Sequence, residues 1–231
     1  MKSIDKIGII IQARLSSARL PGKVLKNLCG KPMLQHLIER IDESALKLPW
    51  IIATSDHVSD DPLFAYCQKM GYPVIRGSLE RVADRFVLAA RICGWDHAVR
   101  ICGDSPLLDL GIVSEVLKIY QDKQPDLATN VCPRSFPKGQ SVEILKMAAL
   151  ESVLPLFQSE EELEHVTKFF YKNPKAFQIE NYAFERNLSH LSLAVDTPFD
   201  WVQTEKLMSH LIASSQSLSM MNLLDILGLN K

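Results

Sequence analysis

Residues 9–25 read IIIQARLSSARLPGKVL. Three apolar residues end abruptly at Gln12, and two arginines, two serines, a Pro-Gly pair and a lysine follow within eleven positions. From Lys6 to Ile38 the chain carries six lysines and arginines and no acidic residue, although the formal charge of the whole protein is only −1. A local cationic loop on a nearly neutral chain points to a small anion. Bulk nucleic-acid binding needs a broad basic surface and is excluded on the same ground.

The apolar run before the loop, KIGIII, is short and rich in β-branched residues, which predicts a buried strand. Working outward, PMLQHLIERI has helical spacing opened by Pro32. PWIIAT, YPVIRG and DHAVRIC read as further strands. DDPLFAYCQKMG and DLGIVSEVLKIYQ read as helices between strands, as does SLERVADRFVLAARICG, from a serine cap to Gly94. Strand and helix therefore alternate about five times in the first half, and that alternation predicts an α/β fold with a mostly parallel sheet wrapped by helices. The second half is less regular. DLATNVC, SVEILKM, FQIENYAF and HLSLAV are strand candidates, SEEELEHVTKFFYKN reads as one helix, and two helices close the chain. The expectation is a single domain over 1–231 with an inserted lobe near 133–185.

The 231 residues are nearly half hydrophobic, enough for a substantial core. Five widely spaced cysteines without a C-x-x-C argue against a disulfide framework or a zinc site and suit a reducing compartment. No run is long enough to span a membrane, and Ile7 to Ile11 is too short for a signal peptide. A cytoplasmic protein without membrane or nucleic-acid partners is expected.

Ligands of such sheets bind outside the carboxyl ends of the strands. There the loop's backbone N–H groups and hydroxyls could cradle a polyphosphate, with Arg14 and Arg19 bonding phosphate oxygens and Lys23 adding a mobile charge. A merely solvated basic loop is the alternative. The loop is neither G-x-G-x-x-G nor G-x-x-x-x-G-K-[ST], since Ser17 stands where the latter needs glycine and Val24 follows Lys23. Asp104 in GDSP and Asp196 in VDTP each follow an apolar run. Two aspartates at neighbouring strand ends suit magnesium, which takes one or two protein carboxylates and completes its shell with phosphate and water. Helix capping explains them equally well on spacing alone. Asp200 is a weaker metal candidate that also suits a helix N-terminus. The segment RSFPKGQSVE, expected at the same edge, offers Arg134 and Lys138 for a substrate carboxylate and Glu143 for hydroxyls.

The loop QARLSSARLPGKVL resembles the signature of the CMP-sugar synthetases, the cytidylyltransferases that activate acylneuraminate and 3-deoxy-manno-octulosonate, and in particular the spore-coat polysaccharide biosynthesis branch. RGSLERVADRF, RICGDSPLLD, FPKGQSVEIL, EHVTKFFYKNP and VDTPFDW follow in matching order and span most of the chain. The resemblance implies a three-layer α/β/α nucleotidyltransferase fold and transfer of CMP from CTP to a sugar or sugar-acid hydroxyl, with release of pyrophosphate. It implies triphosphate binding by Arg14, Ser17, Arg19 and Lys23, and Mg²⁺ on Asp104 and Asp196. Arg14, Lys23 and Asp104 would be catalytic. Arg76, Asp84 and Arg85 would wall the nucleotide pocket, and Glu164 and His165 would close over the acceptor. Members of the family are often homodimers, and the oligomeric state of this chain stays open. The chain departs from the family at Ala18, where threonine is common, and at Ser141, where GLDVEV places aspartate.

The readings that remain beside it are a glycosyltransferase, a nucleotidyltransferase using another NTP, and a non-catalytic nucleotide-binding regulator. The first usually holds metal through D-x-D, but Ser105 and Pro106 follow Asp104. Sugar-phosphate enzymes using UTP or dTTP usually open with G-x-G-T-R, which is absent.

Overall fold

The computed structural model describes residues 4–229. The strands are β1 (Ile7–Gln12), β2 (Asn27–Leu28), β3 (Lys31–Pro32), β4 (Trp50–Ser55), β5 (Val74–Gly77), β6 (His97–Cys102), β7 (Leu127–Thr129), β8 (Glu143–Lys146) and β9 (Ile179–Asn181). The helices are α1 (Met33–Glu43), α2 (Asp61–Met70), α3 (Val82–Cys93), α4 (Leu110–Lys123), α5 (Met147–Val153), α6 (Glu160–Glu164), α7 (Lys168–Lys172), α8 (Pro198–Ser214) and α9 (Met220–Ile226). Seven strands form one sheet in the order β5-β4-β1-β6-β8-β7-β9. Neighbours pair in parallel from β5 to β6 and again between β7 and β9, whereas β8 runs antiparallel to both β6 and β7.

Alternation along the strands divides the core between the two faces. Ile9, Ile11, Ile52, Val99 and Ile101 pack with α1, α4, α8 and α9 on one side. Ile10, Ile51, Ala53 and Ala98 pack with α3, α5 and Phe170 of α7 on the other. The result is the expected three-layer α/β/α arrangement. Among the described residues no helix is long and apolar enough to cross a membrane.

Four sequence expectations change. Segment 133–185 does not stand apart as a lobe, because β8 lies inside the sheet and β9 on its edge. HLSLAV makes no named strand. It is held to a loop through Lys138 N–H to Leu191 O at 3.0 Å, Leu193 N–H to Lys138 O at 2.7 Å and a single bridge at Ser192. The helix expected over 159–173 is two short ones, since His165 is extended (φ −109°, ψ 98°) and the Thr167 hydroxyl turns to donate to Glu143. Helix α3 starts at Val82, with no side chain capping it. Ser78 instead accepts from Arg81 N–H in the preceding turn.

Candidate active site

The loop after β1 is fixed at both ends by its backbone. Ala13 N–H donates to Ala53 O, and Gly22 N–H donates across the loop to Leu15 O at 3.0 Å. Gly22 has φ 71°, a left-handed turn that glycine adopts without strain, and it starts the short 3₁₀ turn Lys23–Leu25. Lys23 therefore projects inward rather than out to solvent, with a side chain only 7% exposed. Its ammonium meets Asp104 Oδ2 at 2.8 Å, Asp196 Oδ1 at 3.0 Å and Val195 O at 2.6 Å. Asp104 leaves β6 through Gly103, where a side chain would press on Ala13, Gln12 O and Leu34. Val195 N–H then bonds Asp104 O at 3.0 Å and so delivers Asp196 beside Asp104.

Neither aspartate caps a helix. Asp109 caps α4, and Thr197 caps α8 in a capping box with Asp200. Asp200 Oδ2 is occupied by Asp196 N–H and by Thr197 N–H and Oγ1. Burial pushes the Asp196 carboxyl up, and Lys23 and Arg19 more than offset it, so it titrates below its ordinary range. Arg19 Nη2 lies 3.0 Å from Asp196 Oδ2, and Arg14 Nη2 lies 2.7 Å from Glu164 Oε1.

These residues line a cleft of about 400 Å³, together with Ser17, Ala18, Gln12, Arg100, Cys102 and His165. A second cleft of about 460 Å³ adjoins it and holds Arg134, Lys138, Ser141, Glu143 and Lys168. The two share Arg100, Cys102, Asp104, His165 and Asp196. Two carboxylates thus converge on one point at the seam, each about a third exposed (30% and 35%). That donor set suits a hard divalent cation that keeps water or phosphate among its ligands. Among the described residues no three His, Cys, Asp or Glu side chains gather into a fuller metal site.

In the second cleft, Arg134 donates to Ser141 Oγ at 3.1 Å and Pro137 O at 3.5 Å. Glu143 is differently placed from the expectation that it would meet a substrate hydroxyl. It is 1% exposed and its oxygens are taken: Thr167 donates at 2.6 Å, and Tyr171 and Arg100 bond it closely. Arg100 faces Glu143 across the β6–β8 pair and also donates to Gln12 Oε1 at 3.0 Å, so this network ties three strands to α7.

Arg76, Asp84 and Arg85 line neither cleft. Arg76 donates to Ser55 O and His57 O and pairs with Asp61 at 2.7 Å. Asp84 pairs with Arg81 in the first turn of α3. Arg85 is 1% exposed over Gly77, and its guanidinium finds no hydrogen-bond partner. Burial, with Arg14 nearby, pulls its pKa down to about 10. Sequence reasoning missed Gln12, Asp60, Arg100, Cys102, Thr167 and Tyr171. Of these Arg100 left a signal as a charge inside an apolar strand, and Gln12 as the polar end of another.

A cationic loop after the first strand and two aspartates at the same sheet edge, on an α/β/α scaffold, define a nucleotidyltransferase-type site. The profile of the family described as Cytidylyltransferase matches residues 8–220, and the chain belongs to that family. It is therefore a CTP-dependent cytidylyltransferase. The spore coat polysaccharide biosynthesis protein SpsF of Bacillus subtilis is 32% identical over 187 residues, which are 77% of this chain and 75% of that protein. The 3-deoxy-manno-octulosonate cytidylyltransferase of Francisella philomiragia is 30% identical over 133 residues, 55% of this chain and 51% of that enzyme. A cytidylyltransferase structure from Leptospira borgpetersenii matches with a TM-score of 0.88 at 29% identity, covering 97% of this chain and 94% of that one.

Proposed function

We propose that this cytidylyltransferase transfers CMP to a hydroxyl of an acidic sugar, in the cytoplasm, for the assembly of a surface polysaccharide or glycan. The observation that carries the reading is the seam. The cleft holding Arg14, Ser17, Arg19 and Lys23 opens at Asp104 and Asp196 into a second cleft that carries Arg134 and Lys138. Neither Arg134 nor Lys138 has an acidic partner among the described residues. Two cations so placed favour an acceptor with a carboxylate. The loop cations receive the triphosphate, and the acceptor hydroxyl attacks the α-phosphorus from the second cleft as its proton passes to water. The bond to the β-phosphate breaks on the other side, where Arg14, Arg19 and Lys23 meet the charge of the departing pyrophosphate. Mg²⁺, held by Asp104 and Asp196, would add charge neutralisation on the phosphates. Five free thiols suit a reducing compartment.

Pyrophosphate release from each NTP, measured with and without a panel of neutral and acidic sugars, tests the reading. Release with CTP and an acidic sugar is expected. Release with neutral sugars alone would refute the acceptor class. Within that assay Lys138→Ala and His165→Ala should raise KM for the sugar and leave CTP binding unchanged, the signature of lost acceptor binding.

A further inference from the structure

The Lys23 ammonium has three hydrogens and three acceptors, namely Asp104 Oδ2, Asp196 Oδ1 and Val195 O. An ammonium donates three hydrogen bonds and no more. As it stands, Lys23 has none left for a phosphate oxygen, and with 7% of its side chain exposed it is shielded as well. Arg19 is likewise turned to Asp196, at 3.0 Å. The two carboxylates suited to a divalent cation are therefore the ones that occupy two of the cations suited to a triphosphate.

We infer that Lys23 is the resident cation of the Asp104–Asp196 site, and that a divalent cation entering there displaces Lys23 and Arg19 toward the triphosphate. The inference rests on the functional reading above. A dication and an ammonium cannot share two carboxylates at hydrogen-bond distance without strong like-charge repulsion, so cation entry and lysine release are one event. The coupling is reciprocal: a polyphosphate that draws Lys23 away also vacates the carboxylates for the cation. Each ligand then binds weakly alone, and free nucleotide without its cation is poorly held.

Two measurements on the whole chain test this. The first is calorimetric titration with tripolyphosphate in EDTA, a probe without a base and thus independent of nucleotide choice. Asp196→Asn should bind it about threefold or more tightly than the wild type, because Lys23 and Arg19 are released. Asp200→Asn removes an equal charge from the same segment without freeing a cation, and should stay within about twofold. Asp104→Asn is the second releasing variant if Asp196→Asn folds poorly. The second measurement is Mn²⁺ alone, followed by electron paramagnetic resonance. Lys23→Met should bind it about threefold or more tightly than the wild type. An Asp196→Asn gain no larger than that of Asp200→Asn, or an unchanged Mn²⁺ affinity in Lys23→Met, overturns the exchange while leaving the functional reading intact. A wild type that binds neither tripolyphosphate nor CTP even with Mg²⁺ removes both.

Discussion

Asp60 is fully buried between β4 and α2, yet it governs the loop that carries Arg14. One oxygen accepts Leu15 N–H at 2.6 Å, and the other gathers Thr54 Oγ1, Ser55 N–H and Ser55 Oγ. A carboxylate accepts from all these donors, whereas an amide must turn its own N–H₂ toward some of them. Asp60→Asn is therefore expected to cost about 1–3 kcal/mol in urea unfolding and to weaken CTP binding by loosening the loop. The sequence SDDP offered Asp60 only as part of an acidic helix start. Its role depends on Leu15, forty-five positions earlier. Gly139 shows the same dependence on distant chain. It sits at φ 88°, and a Cβ there would lie 2.4 Å from Ala194 N and 2.7 Å from Leu193 O. Main-chain atoms in a bonded crossing cannot yield as a flexible side chain would. Gly139→Ala should lower stability by about 2 kcal/mol or more in thermal unfolding. It should also raise KM for the sugar more than for CTP, because the strained segment carries Lys138.

At the scale of elements, β8 is the piece that joins the sheet to the second cleft. It runs antiparallel into the sheet and sets Glu143 opposite Arg100. Burial alone would raise the Glu143 carboxyl. Arg100, with the hydroxyls of Thr167 and Tyr171, outweighs burial and holds it below its ordinary value of 4.5. A carboxylate whose folded pKa is depressed adds stability above its unfolded pKa and loses it as pH falls through the folded one. Thermal stability should accordingly be level in this respect above about pH 4.5 and fall below it. Glu143→Gln should flatten that acid limb while costing about 2–3 kcal/mol at neutral pH, because Arg100, partly buried at the cleft wall, is left without its anion. A variant with the wild-type acid profile would refute the assignment. The break between α6 and α7 falls at the extended His165, and the helix that restarts after Thr167 brings Tyr171 to the same carboxylate.

For the whole molecule, the two clefts are one surface at the carboxyl edge of the parallel strands, built from segments as far apart as Gln12 and Asp196, and the proposed function gives one side to the nucleotide and the other to the acceptor. A ligand that bridges them should stabilise the fold as a unit. With Mg²⁺ and CTP at about a hundredfold its Kd, the unfolding free energy should rise by about 2.7 kcal/mol, a melting shift of about 5–10 °C for a chain of this size. ATP at the same concentration should give a smaller shift. Equal shifts in scanning calorimetry would contradict selection of the cytosine base.

By itself the sequence determined the strand–helix alternation of the first half, the cationic loop after β1 and the presence of an aspartate after each of two apolar runs. These are patterns of local period and local composition, and they survive because neighbouring residues alone produce them. The tertiary structure alone decided that Lys23 meets Asp104 across 81 positions and Asp196 across 173. It also decided that β8 enters the sheet in reverse, that Glu143 is consumed by Arg100, Thr167 and Tyr171, and that Arg76, Asp84 and Arg85 stand outside the lining of the two clefts. A charge in a sequence carries no mark of its partner. The partner is fixed by register and chain crossing, which place oxygens and nitrogens within 3 Å only once the strands have assembled.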